Sequence, residues 1–393
     1  MLPNGWKRVK LGDCFNIQLG KMLNENARTQ EPQFPYIGNK DVRWGYLNQS
    51  HLSTMFFSER ERDKFSLKKN DILMCEGGEI GRCVVLKEDV ENVYYQKACH
   101  RLRAKNEMCN PDYLYFFINN VVNSQTIVAL VGESSIAHLP AEKVAQIELN
   151  LPPLNEQKKI AETLSVWDDA IEKTEKLIEA KELFFKKNLE DYIYAPAKNN
   201  QWKIEKLGNL SQMSSGGTPK SSVKEYYDGD ILWVSIADMT EQGMYVSRTA
   251  KTLTQLGVDN SAAKVYPKGT VLYAMYASIG EVSIAVEDMA SSQAILGIQV
   301  GERLLNKYLY YFLVGQKERI KLQGQAGTQS NLNAGMVRDF DIPLPSISEQ
   351  EKIVHFFDLF EKEIDVLKQQ LENYKKQKQG LMQKLLTGQW RVK

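Results

Sequence analysis

The chain has 393 residues, of which 43% are hydrophobic and 25% are charged, as in folded soluble proteins. This length exceeds one ordinary core and predicts two or three domains. No apolar run is long enough for a transmembrane helix, and the first ten residues lack the apolar stretch of a signal peptide, so no membrane partner is expected. Fifty basic residues are offset by 49 acidic ones. This balance argues mildly against a free-standing nucleic-acid binder, but it is compatible with a subunit that shares such contacts with partners.

Five cysteines lie in the first half of the chain, at Cys14, Cys75, Cys83, Cys99 and Cys109. Their number is odd, and no two of them form a C-x-x-C motif. These features argue against a disulfide framework and against a zinc site. The cysteine content therefore predicts a reducing, cytoplasmic location.

An internal repeat is the most informative feature of the sequence. WKRVKLGD begins at Trp6 and WKIEKLGN begins at Trp202, while LPPLNEQKKI begins at Leu151 and LPSISEQEKI begins at Leu344. Between these markers the first half contains IGNKDV, NDILMCEGGEIG and DYLYFF, and the second half contains VSIADM, GTVLYAMYASIG and KYLYYF in the same order. Five ordered matches at a nearly constant offset predict a duplication. The alternative is a coincidence of common strand and turn sequences.

Each half begins with a globular part that is rich in short strand-like runs separated by Gly, Asn and Asp. One helix is predicted near its end, at PDYLYFFINNVVN and at NKYLYYFLVGQKERI. Prolines then enforce an extended segment before a long helix. The predicted fold class is α+β, with globular domains at 1–152 and 199–345 and helical spacers at 153–198 and 346–393.

The two helical spacers carry apolar residues alternately four and three apart, which indicates a heptad seam. Asn155 and Ser348 are the predicted N-caps, and the first seam continues to Tyr192. The predicted helix-pairing residues are Ile160, Leu164, Trp167, Ile171, Ile178 and Phe185 in the first helix and Ile353, Phe357, Phe360, Ile364, Leu367 and Leu371 in the second.

A helix of about 38 residues is about 57 Å long, which is too long for one globular domain to bury. The other long helix is therefore the expected partner. An antiparallel coiled coil with pseudo-two-fold symmetry is favoured over a parallel pair. The remaining alternative is that each helix packs separately against a different partner protein.

The sequence contains no catalytic constellation. A phosphate-binding P-loop, an H-E-x-x-H zinc helix, a glycine-rich AdoMet motif and a nuclease motif are all missing. No catalytic residue, no metal site and no cofactor is therefore expected in this chain. The glycines of EGGEIG (76–81) and GGTP (216–219) predict tight turns or, alternatively, loops whose backbone approaches a DNA phosphate.

With these motifs the sequence resembles the specificity subunits of type I restriction–modification enzymes over essentially its whole length. The resemblance depends on the W-K-x-x-x-L-G-[DN] opening of each half, on S-G-G-T-P-K-S (215–221), and on the L-P-x-[LI]-x-E-Q-x-K-I segment before each long helix. The E-I-G and S-I-G turns, followed by Gln96 and Gln293, add to it. The first half has QLGKMLN (18–24) where the second has SGGTPKS, which suits domains that read different half-sites.

The resemblance implies that each globular domain reads one half of a split double-stranded DNA target. It also implies that the helices fix the gap between the half-sites and dock two methyltransferase (modification) subunits, which are joined by restriction subunits. AdoMet, ATP and Mg²⁺ would then be bound only by those partners, and this chain would be non-catalytic.

Side-chain chemistry indicates candidate DNA contacts, because Arg and Lys suit guanine and phosphate while Asn and Gln suit adenine. Tyr273 and Tyr276 can also be ordinary strand aromatics. The candidates are Lys21, Asn24, Asn26, Arg28, Lys40, Arg43, Lys97 and Arg101 in the first domain, and Thr218, Lys220, Ser221, Lys224, Tyr273, Tyr276, Ser278, Gln329, Ser330 and Asn331 in the second.

Two other functions remain open at this stage. One is a non-catalytic coiled-coil scaffold that binds proteins and no nucleic acid, which the neutral charge slightly favours. The other is a single-chain enzyme with its own nuclease, which the missing motifs disfavour. Salt-dependent retention on DNA distinguishes the scaffold from a DNA reader, because phosphate contacts release counterions.

Overall fold

The computed structural model describes residues 2–122, 138–199, 201–276, 278–324 and 332–392. Its contacts divide the chain into two compact units, each built around its own core. Unit 1 comprises Met1–Glu175 with Gln370–Lys393, and unit 2 comprises Lys176–Gln369.

Unit 1 contains a four-stranded sheet in the order β2-β8-β5-β6, a three-stranded sheet in the order β4-β3-β7 and the pair β1-β9. All described pairings are antiparallel except β3 with β7. The strands are β1 (Lys7–Lys10), β2 (Phe15–Leu19), β3 (Gln33–Ile37), β4 (Ser53–Phe56), β5 (Ile72–Cys75), β6 (Cys83–Val85), β7 (Tyr94–Tyr95), β8 (Cys99–Ala104) and β9 (Glu148–Leu151).

Short helices connect the strands of unit 1, and two hydrophobic clusters lie on opposite faces of the β5 sheet. Met74 belongs to one cluster and its neighbour Cys75 to the other, as the alternation of side chains along a strand requires. The helices are α1 (Leu11–Cys14), α2 (Glu25–Thr29), α3 (Glu59–Lys64), α4 (Pro111–Val122), α5 (Ala141–Gln146) and the first part of α6 (Leu154–Leu189), with a 3₁₀ turn at Asn39–Asp41.

Unit 2 contains a five-stranded sheet in the order β11-β19-β16-β17-β13, a four-stranded sheet in the order β14-β12-β18-β15 and the pair β10-β20. The pairs β12–β18 and β13–β17 are parallel. The strands are β10 (Lys203–Lys206), β11 (Ser211–Ser215), β12 (Tyr227–Val234), β13 (Tyr245–Val246), β14 (Lys251–Leu253), β15 (Val265–Tyr266), β16 (Val271–Ala274), β17 (Val282–Ala285), β18 (Met289–Ser291), β19 (Ile295–Val300) and β20 (Asp341–Leu344).

The largest cluster of unit 2 packs the β16 sheet against a helix that carries Tyr308, Tyr311 and Phe312. This helix, Asn306–Gly324, is the one that the second half of the sequence predicts before its long spacer, as Pro111–Val122 is for the first half. The helices of unit 2 are α7 (Ala195–Lys198), α8 (Ile236–Gln242), α9 (Gln255–Asp259), α10 (Asn306–Gly324), α11 (Ala334–Arg338) and part of α12 (Ile347–Leu386), with 3₁₀ turns at Leu207–Asn209 and Lys224–Tyr226.

Both long helices begin earlier than predicted, at Leu154 and Ile347. Asn155 and Ser348 therefore lie inside the first turn, and their prediction as N-caps is wrong. The carbonyls of Pro153 and Ser346 accept the first helical hydrogen bonds, from the N–H groups of Gln157 (3.0 Å) and Gln350 (2.9 Å), so these two residues occupy the N-cap positions. Before α12, Ser346 accepts a hydrogen bond from the Glu349 N–H at 3.3 Å.

A buried glutamine fixes the start of each long helix. Gln157 donates to the carbonyls of Met108 (2.9 Å) and Pro152 (2.8 Å) and accepts from the Asn110 N–H at 2.7 Å. Gln350 does the same with Arg303 (3.0 Å), Pro345 (3.1 Å) and the Leu305 N–H (2.9 Å). Both side chains are fully buried. The E-Q dipeptide of the repeated motif thus joins each globular part to its helix.

Within each unit, α6 and α12 pair antiparallel. In unit 1, Asp168 pairs with Lys378 and Glu175 with Lys375, so the partner number falls as the first number rises. In unit 2, the Phe184 ring packs on Phe360 and the Phe185 ring on Phe357. This confirms the predicted α+β domains with antiparallel long helices, and it excludes the parallel alternative within each unit.

The seam of the paired helices contains apolar and polar residues. Every predicted helix-pairing residue is buried or half-buried. Lys378 also lies 5.5 Å from the centre of the Phe116 ring. Lys181 forms an ion pair with Glu363 at 2.8 Å and lies 5.3 Å from the Phe360 ring centre.

The predicted seam position Tyr192 contacts the other long helix, with its ring centre 5.0 Å from that of Phe356, but it lies in a different kind of turn. A π-helical turn at Glu190–Tyr194 follows α6. A π turn contains one residue more than an α turn and therefore shifts the side chains that follow it. As a result Tyr192 is 46% exposed, while Ile193 and Tyr194 are buried in the core of unit 2.

Candidate nucleic-acid interface

In unit 1, three chain segments meet beyond the ends of the central strands. They are the loop after β2 (20–24), the turn between β5 and β6 (76–81) and the segment between β7 and β8 (96–98), and we call them loop edge 1. Four backbone hydrogen bonds hold them together: Gly20 N–H to Cys99 O (3.1 Å), Lys21 N–H to Tyr95 O (3.1 Å), Glu76 N–H to Ala98 O (2.9 Å) and Gly81 N–H to Cys75 O (3.0 Å).

Unit 2 repeats this arrangement, which we call loop edge 2, in the loop after β11 (216–221), the β16–β17 turn and the segment between β18 and β19 (292–294). Residue 277 of the turn is outside the described residues. The bonds are Gly216 N–H to Ile295 O (3.0 Å), Gly217 N–H to Ser291 O (2.9 Å), Met275 N–H to Ala294 O (2.9 Å) and Gly280 N–H to Ala274 O (3.0 Å). The repeat is therefore present in the hydrogen bonds as well as in the sequence.

Glycine is required where each loop leaves its strand. A Cβ added to Gly20 would lie 2.4 Å from the Gln96 carbonyl oxygen, and one added to Gly216 would lie 2.3 Å from that of Ser291. These glycines thus permit close approach to the protein's own backbone. This observation explains both glycines structurally, and for GGTP it favours the tight-turn interpretation.

A surface pocket of about 430 Å³ lies at loop edge 1. Its wall contains the exposed Lys97 and His138, the half-buried Gln96 and the glycines of the turn. An ammonium group, a carboxamide, an imidazole and backbone groups are the chemistry that contacts phosphates and base edges. The lining residues are Met22, Leu23, Asn39, Glu76, Gly77, Gly78, Gln96, Lys97, Ala98 and His138.

Three of the unit 1 candidates are engaged within the protein. The Lys21 ammonium donates to the Phe56 carbonyl and pairs with Glu61, both at 2.7 Å. The Asn24 side chain accepts from the Ala27 N–H and caps α2. The buried Arg101 donates to the carbonyls of Lys64 and Ser66 and to Gln18, and burial lowers the pKa of its guanidinium.

The other unit 1 candidates have exposed side chains. Lys97 lines the pocket, and Lys40 follows Asn39, which donates to the Gly77 carbonyl of the turn at 2.7 Å. Asn26 and Arg28 are on α2, while Arg43 follows the 3₁₀ turn. Among these residues the structure links Lys40 and Lys97 most directly to loop edge 1.

In unit 2, the exposed candidates include two sets on loop edge 2. Thr218, Lys220 and Ser221 follow the buried glycine pair, and Tyr276 and Ser278 are on the β16–β17 turn. Lys224 is exposed in a 3₁₀ turn.

Tyr273 is fully buried, and its hydroxyl has no hydrogen-bond partner among the described residues. Burial raises the pKa of this hydroxyl, and the position favours its reading as a strand aromatic. Gln329, Ser330 and Asn331 lie outside the described residues.

Lys97 alone among the lining residues is a predicted DNA contact, and the other polar lining side chains include Gln96 and His138. Gln96 contributed to the family resemblance but was not selected as a contact, although its amide chemistry suits adenine. His138 reaches the pocket through an isolated bridge to Gly77. The two positions lie far apart in the sequence, so no local pattern could have brought them together.

The described residues contain no helix long and apolar enough to cross a membrane. They also contain no group of three or more His, Cys, Asp or Glu side chains placed to hold a metal ion.

Comparisons with known proteins identify related sequences. The family model described as "Type I restriction modification DNA specificity domain" matches residues 3–182 and 199–375. The type I restriction enzyme MjaVIII specificity subunit of Methanocaldococcus jannaschii is 25% identical over 422 residues, which cover 100% of this chain and 94% of that protein. The MjaIX specificity subunit of the same organism is 30% identical over 174 residues, but that match spans only 44% of this chain and 40% of that protein.

Two solved structures share the fold. A chain from a structural study of complex assembly and conformational transition of the type I R-M system has a TM-score of 0.67 and 17% identity, with 99% of this chain and all of that chain covered. The type I restriction-modification system S subunit from M. genitalium has a TM-score of 0.57 and 18% identity, with 98% of each chain covered. At these identities the likeness establishes the fold alone.

Proposed function

Because the chain belongs to the family of type I restriction modification DNA specificity domains, whose model matches it twice, we propose that it reads a bipartite double-stranded DNA target, one half-site per globular domain. The family confirms the predicted specificity subunit, a non-enzymatic component of a restriction–modification complex that recognises DNA. The bipartite reading, the contact residues and the partner surfaces are the proposal. One observation carries it: loop edges 1 and 2 share backbone hydrogen bonds but expose different side chains.

We assign DNA contact first to the exposed candidates. In unit 1 these are Lys97 on loop edge 1, Lys40 next to Asn39, and Asn26, Arg28 and Arg43; in unit 2 they are Thr218, Lys220, Ser221, Lys224, Tyr276 and Ser278. Lys21, Arg101 and the buried Tyr273 then have structural roles inside the domains, while the exposed Asn24 caps α2. Gln329, Ser330 and Asn331 remain candidates from sequence alone.

The domain boundaries belong to the same proposal, with recognition domains at 1–152 and 199–345 and helical spacers at 153–198 and 346–393. We propose that the spacers set the gap between half-sites. Removing one heptad from each helix shortens the pair by about 10 Å, which corresponds to about three base pairs at 3.4 Å each. An unchanged gap in the methylated motif would contradict this role.

We further propose that the helices dock two modification subunits, which restriction subunits join, and that AdoMet, ATP and Mg²⁺ are bound by those partners in the cytoplasm. Exposed apolar side chains on the unit 2 helices support docking, since Leu183 is 70%, Leu359 is 56% and Val366 is 54% exposed. Leu359 and Val366 are seven residues apart and therefore share one face of α12, and apolar side chains grouped on one exposed face are a feature of protein interfaces.

The reading of two half-sites is tested by mapping methylated bases in host DNA. K40A/K97A should relax one half of a bipartite motif, and K220A/S221A should relax the other. The control is K268A, an exposed lysine between β15 and β16, which should leave both halves unchanged. A continuous motif, or two variants that affect the same half, would contradict the proposal.

A further inference from the structure

Two cysteines of unit 1 face each other across neighbouring strands. Cys75 of β5 is directly opposite Cys99 of β8 in the antiparallel register. Their backbone N–H groups bond elsewhere, Cys75 to Arg82 O (2.8 Å) and Cys99 to Gln96 O (2.9 Å). They therefore form a non-hydrogen-bonded pair, the closer of the two antiparallel types, with Cα atoms about 4.5 Å apart. That separation is within the range of about 4.4–6.8 Å that a disulfide spans.

Both side chains point to the same side of the sheet, because Cys75 and Cys99 belong to one hydrophobic cluster. Cys83, the neighbouring thiol on β6, belongs to the cluster on the opposite face. The geometry therefore allows a disulfide between Cys75 and Cys99 and disfavours a disulfide from either of them to Cys83.

A guanidinium group lies beside the pair. The Arg82 side chain is only 11% exposed and donates to Glu79 and to the Asn39 carbonyl and side-chain oxygens. Its Nε has no hydrogen-bond partner among the described residues. The hydrogen bond from Cys99 and the nearby Arg82 lower the pKa of the Cys75 thiol, whereas burial raises the pKa of Cys14, Cys83 and Cys109. Of the two facing thiols, Cys75 is the one whose pKa these neighbours lower, and the thiolate is the reactive form.

The pair lies next to loop edge 1. Glu76 follows Cys75, Ala98 precedes Cys99, and Glu76 and Ala98 line the pocket of about 430 Å³, whereas the two cysteines are fully buried next to it. Unit 2 has Ala274 opposite Ile295 at the matching register, and its sequence contains no cysteine. Any chemistry of this pair is therefore confined to one of the two recognition domains.

We propose that Cys75 and Cys99 form a reversible disulfide when a small hydroperoxide reaches them from the pocket, and that this disulfide weakens DNA reading by unit 1 alone. The Cys75 thiolate attacks the peroxide O–O bond, takes one oxygen as a sulfenic acid and releases water after protonation. The Cys99 sulfur then attacks that sulfur, forms the S–S bond and releases a second water, which carries the Cys99 proton. Two thiols are oxidised and one hydrogen peroxide is reduced to two waters.

The disulfide is tested without DNA. The folded, reduced full-length chain is treated with hydrogen peroxide, its free thiols are blocked with iodoacetamide under denaturing conditions, and it is digested with trypsin. Cleavage after Lys69, Arg82, Lys97 and Arg101 separates NDILMCEGGEIGR from ACHR, each with a single cysteine. We expect these peptides linked, with two of the five thiols lost and both recovered by dithiothreitol. No link, or equal amounts of links through Cys83, would overturn the pairing.

Cysteine variants distinguish the Cys75–Cys99 disulfide from oxidation of the other thiols. C75A and C99A should each abolish the two-thiol loss, whereas C83A should keep it. Circular dichroism verifies that the variants fold; Ala274 shows that alanine is accommodated at the position that matches Cys75. Loss of the link in C83A as well would overturn the assignment.

The effect on DNA rests on the proposed function and is measured with the complete complex of modification subunits. Oxidation should weaken binding to a duplex that carries the unit 1 half-site by about fivefold, a modest coupling between two sites, and the unit 2 half-site should be unaffected. By reciprocity, bound DNA should slow disulfide formation. A disulfide without change at either half-site would overturn the coupling alone. A reduced complex that binds neither half-site would contradict the proposed function and leave the disulfide result intact.

Discussion

Unit 1 places Met74 and Cys75 where unit 2 places Tyr273 and Ala274, yet both pairs are on strands with the same antiparallel register. The backbone bonds that hold loop edges 1 and 2 also correspond one to one. The comparison teaches that the repeated part is the backbone frame, while the side chains that fill it have diverged. Substitutions at matching positions can therefore distinguish residues that hold the shared backbone arrangement from residues whose contacts occur in one unit only.

The largest effect is expected where the two units are alike. Q157A and Q350A each remove three hydrogen bonds from a fully buried amide and leave its partners unpaired, which costs about 3 kcal/mol in the unit concerned. Urea unfolding followed by hydrogen exchange should show a similar loss for Q157A in unit 1 and for Q350A in unit 2. A loss in only one unit would show that the frames are not equivalent.

A smaller effect is expected where the units differ in charge pairing. Glu156 accepts from the Trp6 indole at 3.1 Å and from two nitrogens of Arg391 at 2.5 and 2.8 Å. Its counterpart Glu349 pairs only with the exposed Lys352 among the described contacts. E156A should clearly lower the Tm, whereas E349A should change stability by less than about 0.5 kcal/mol, since exposed pairs contribute little. Equal effects in calorimetry would contradict this contrast.

The pH dependence of stability should also differ between the units. Burial raises the pKa of Glu361 to about 7, and the nearby Asp365 and Asp358 add to the shift although Tyr311 opposes it. Between about pH 4.5 and 7 the folded chain holds a proton that the unfolded chain has lost, so unit 2 loses stability as the pH rises through this window. E361Q should be more stable than wild type above pH 7, by about 1–2 kcal/mol. The free energies of unfolding of E361Q and wild type should become equal below about pH 4.5, where Glu361 is protonated in both states.

The control for this experiment is at the matching position of unit 1, where Asp168 pairs with Lys378. D168N removes that ion pair and should lower stability at neutral pH, the opposite sign. Urea midpoints measured from pH 4 to 8 distinguish the two. A gain in both variants would indicate a general response to removing helix charge.

The smallest effect is expected for Y273F. The Tyr273 hydroxyl is buried without a partner among the described residues, so its removal should change stability by less than about 0.5 kcal/mol or raise it slightly. DNA binding should not change, since the side chain is inaccessible. A loss of binding to one half-site would restore Tyr273 as a contact. Y276F on the exposed turn serves as the comparison.

The sequence predicted the frame better than the site because the frame is periodic. The heptad spacing identified the buried seam residues, and the repeat identified the two domains. The π turn after Leu189 was missed, since no spacing rule marks an extra residue in a helix. The glutamine of the E-Q motif was read as a family marker, whereas its buried hydrogen bonds give the physical reason for it.

Candidate contacts were harder to predict, because residue type alone does not reveal internal partners. Lys21 and Arg101 have the chemistry of DNA contacts, but in the structure they bind Glu61 and Gln18. His138 joins the pocket through a bridge to Gly77 that only the fold reveals.

The polar residues of the seam have a consequence for building hybrid proteins. Lys181 requires Glu363 on the other helix, and Lys378 requires Asp168. A polar seam residue fixes alignment at a cost in stability when its partner is missing. The two long helices should therefore be exchanged between relatives as a matched pair, whereas a graft that replaces one of them would leave a half-buried lysine without its acid.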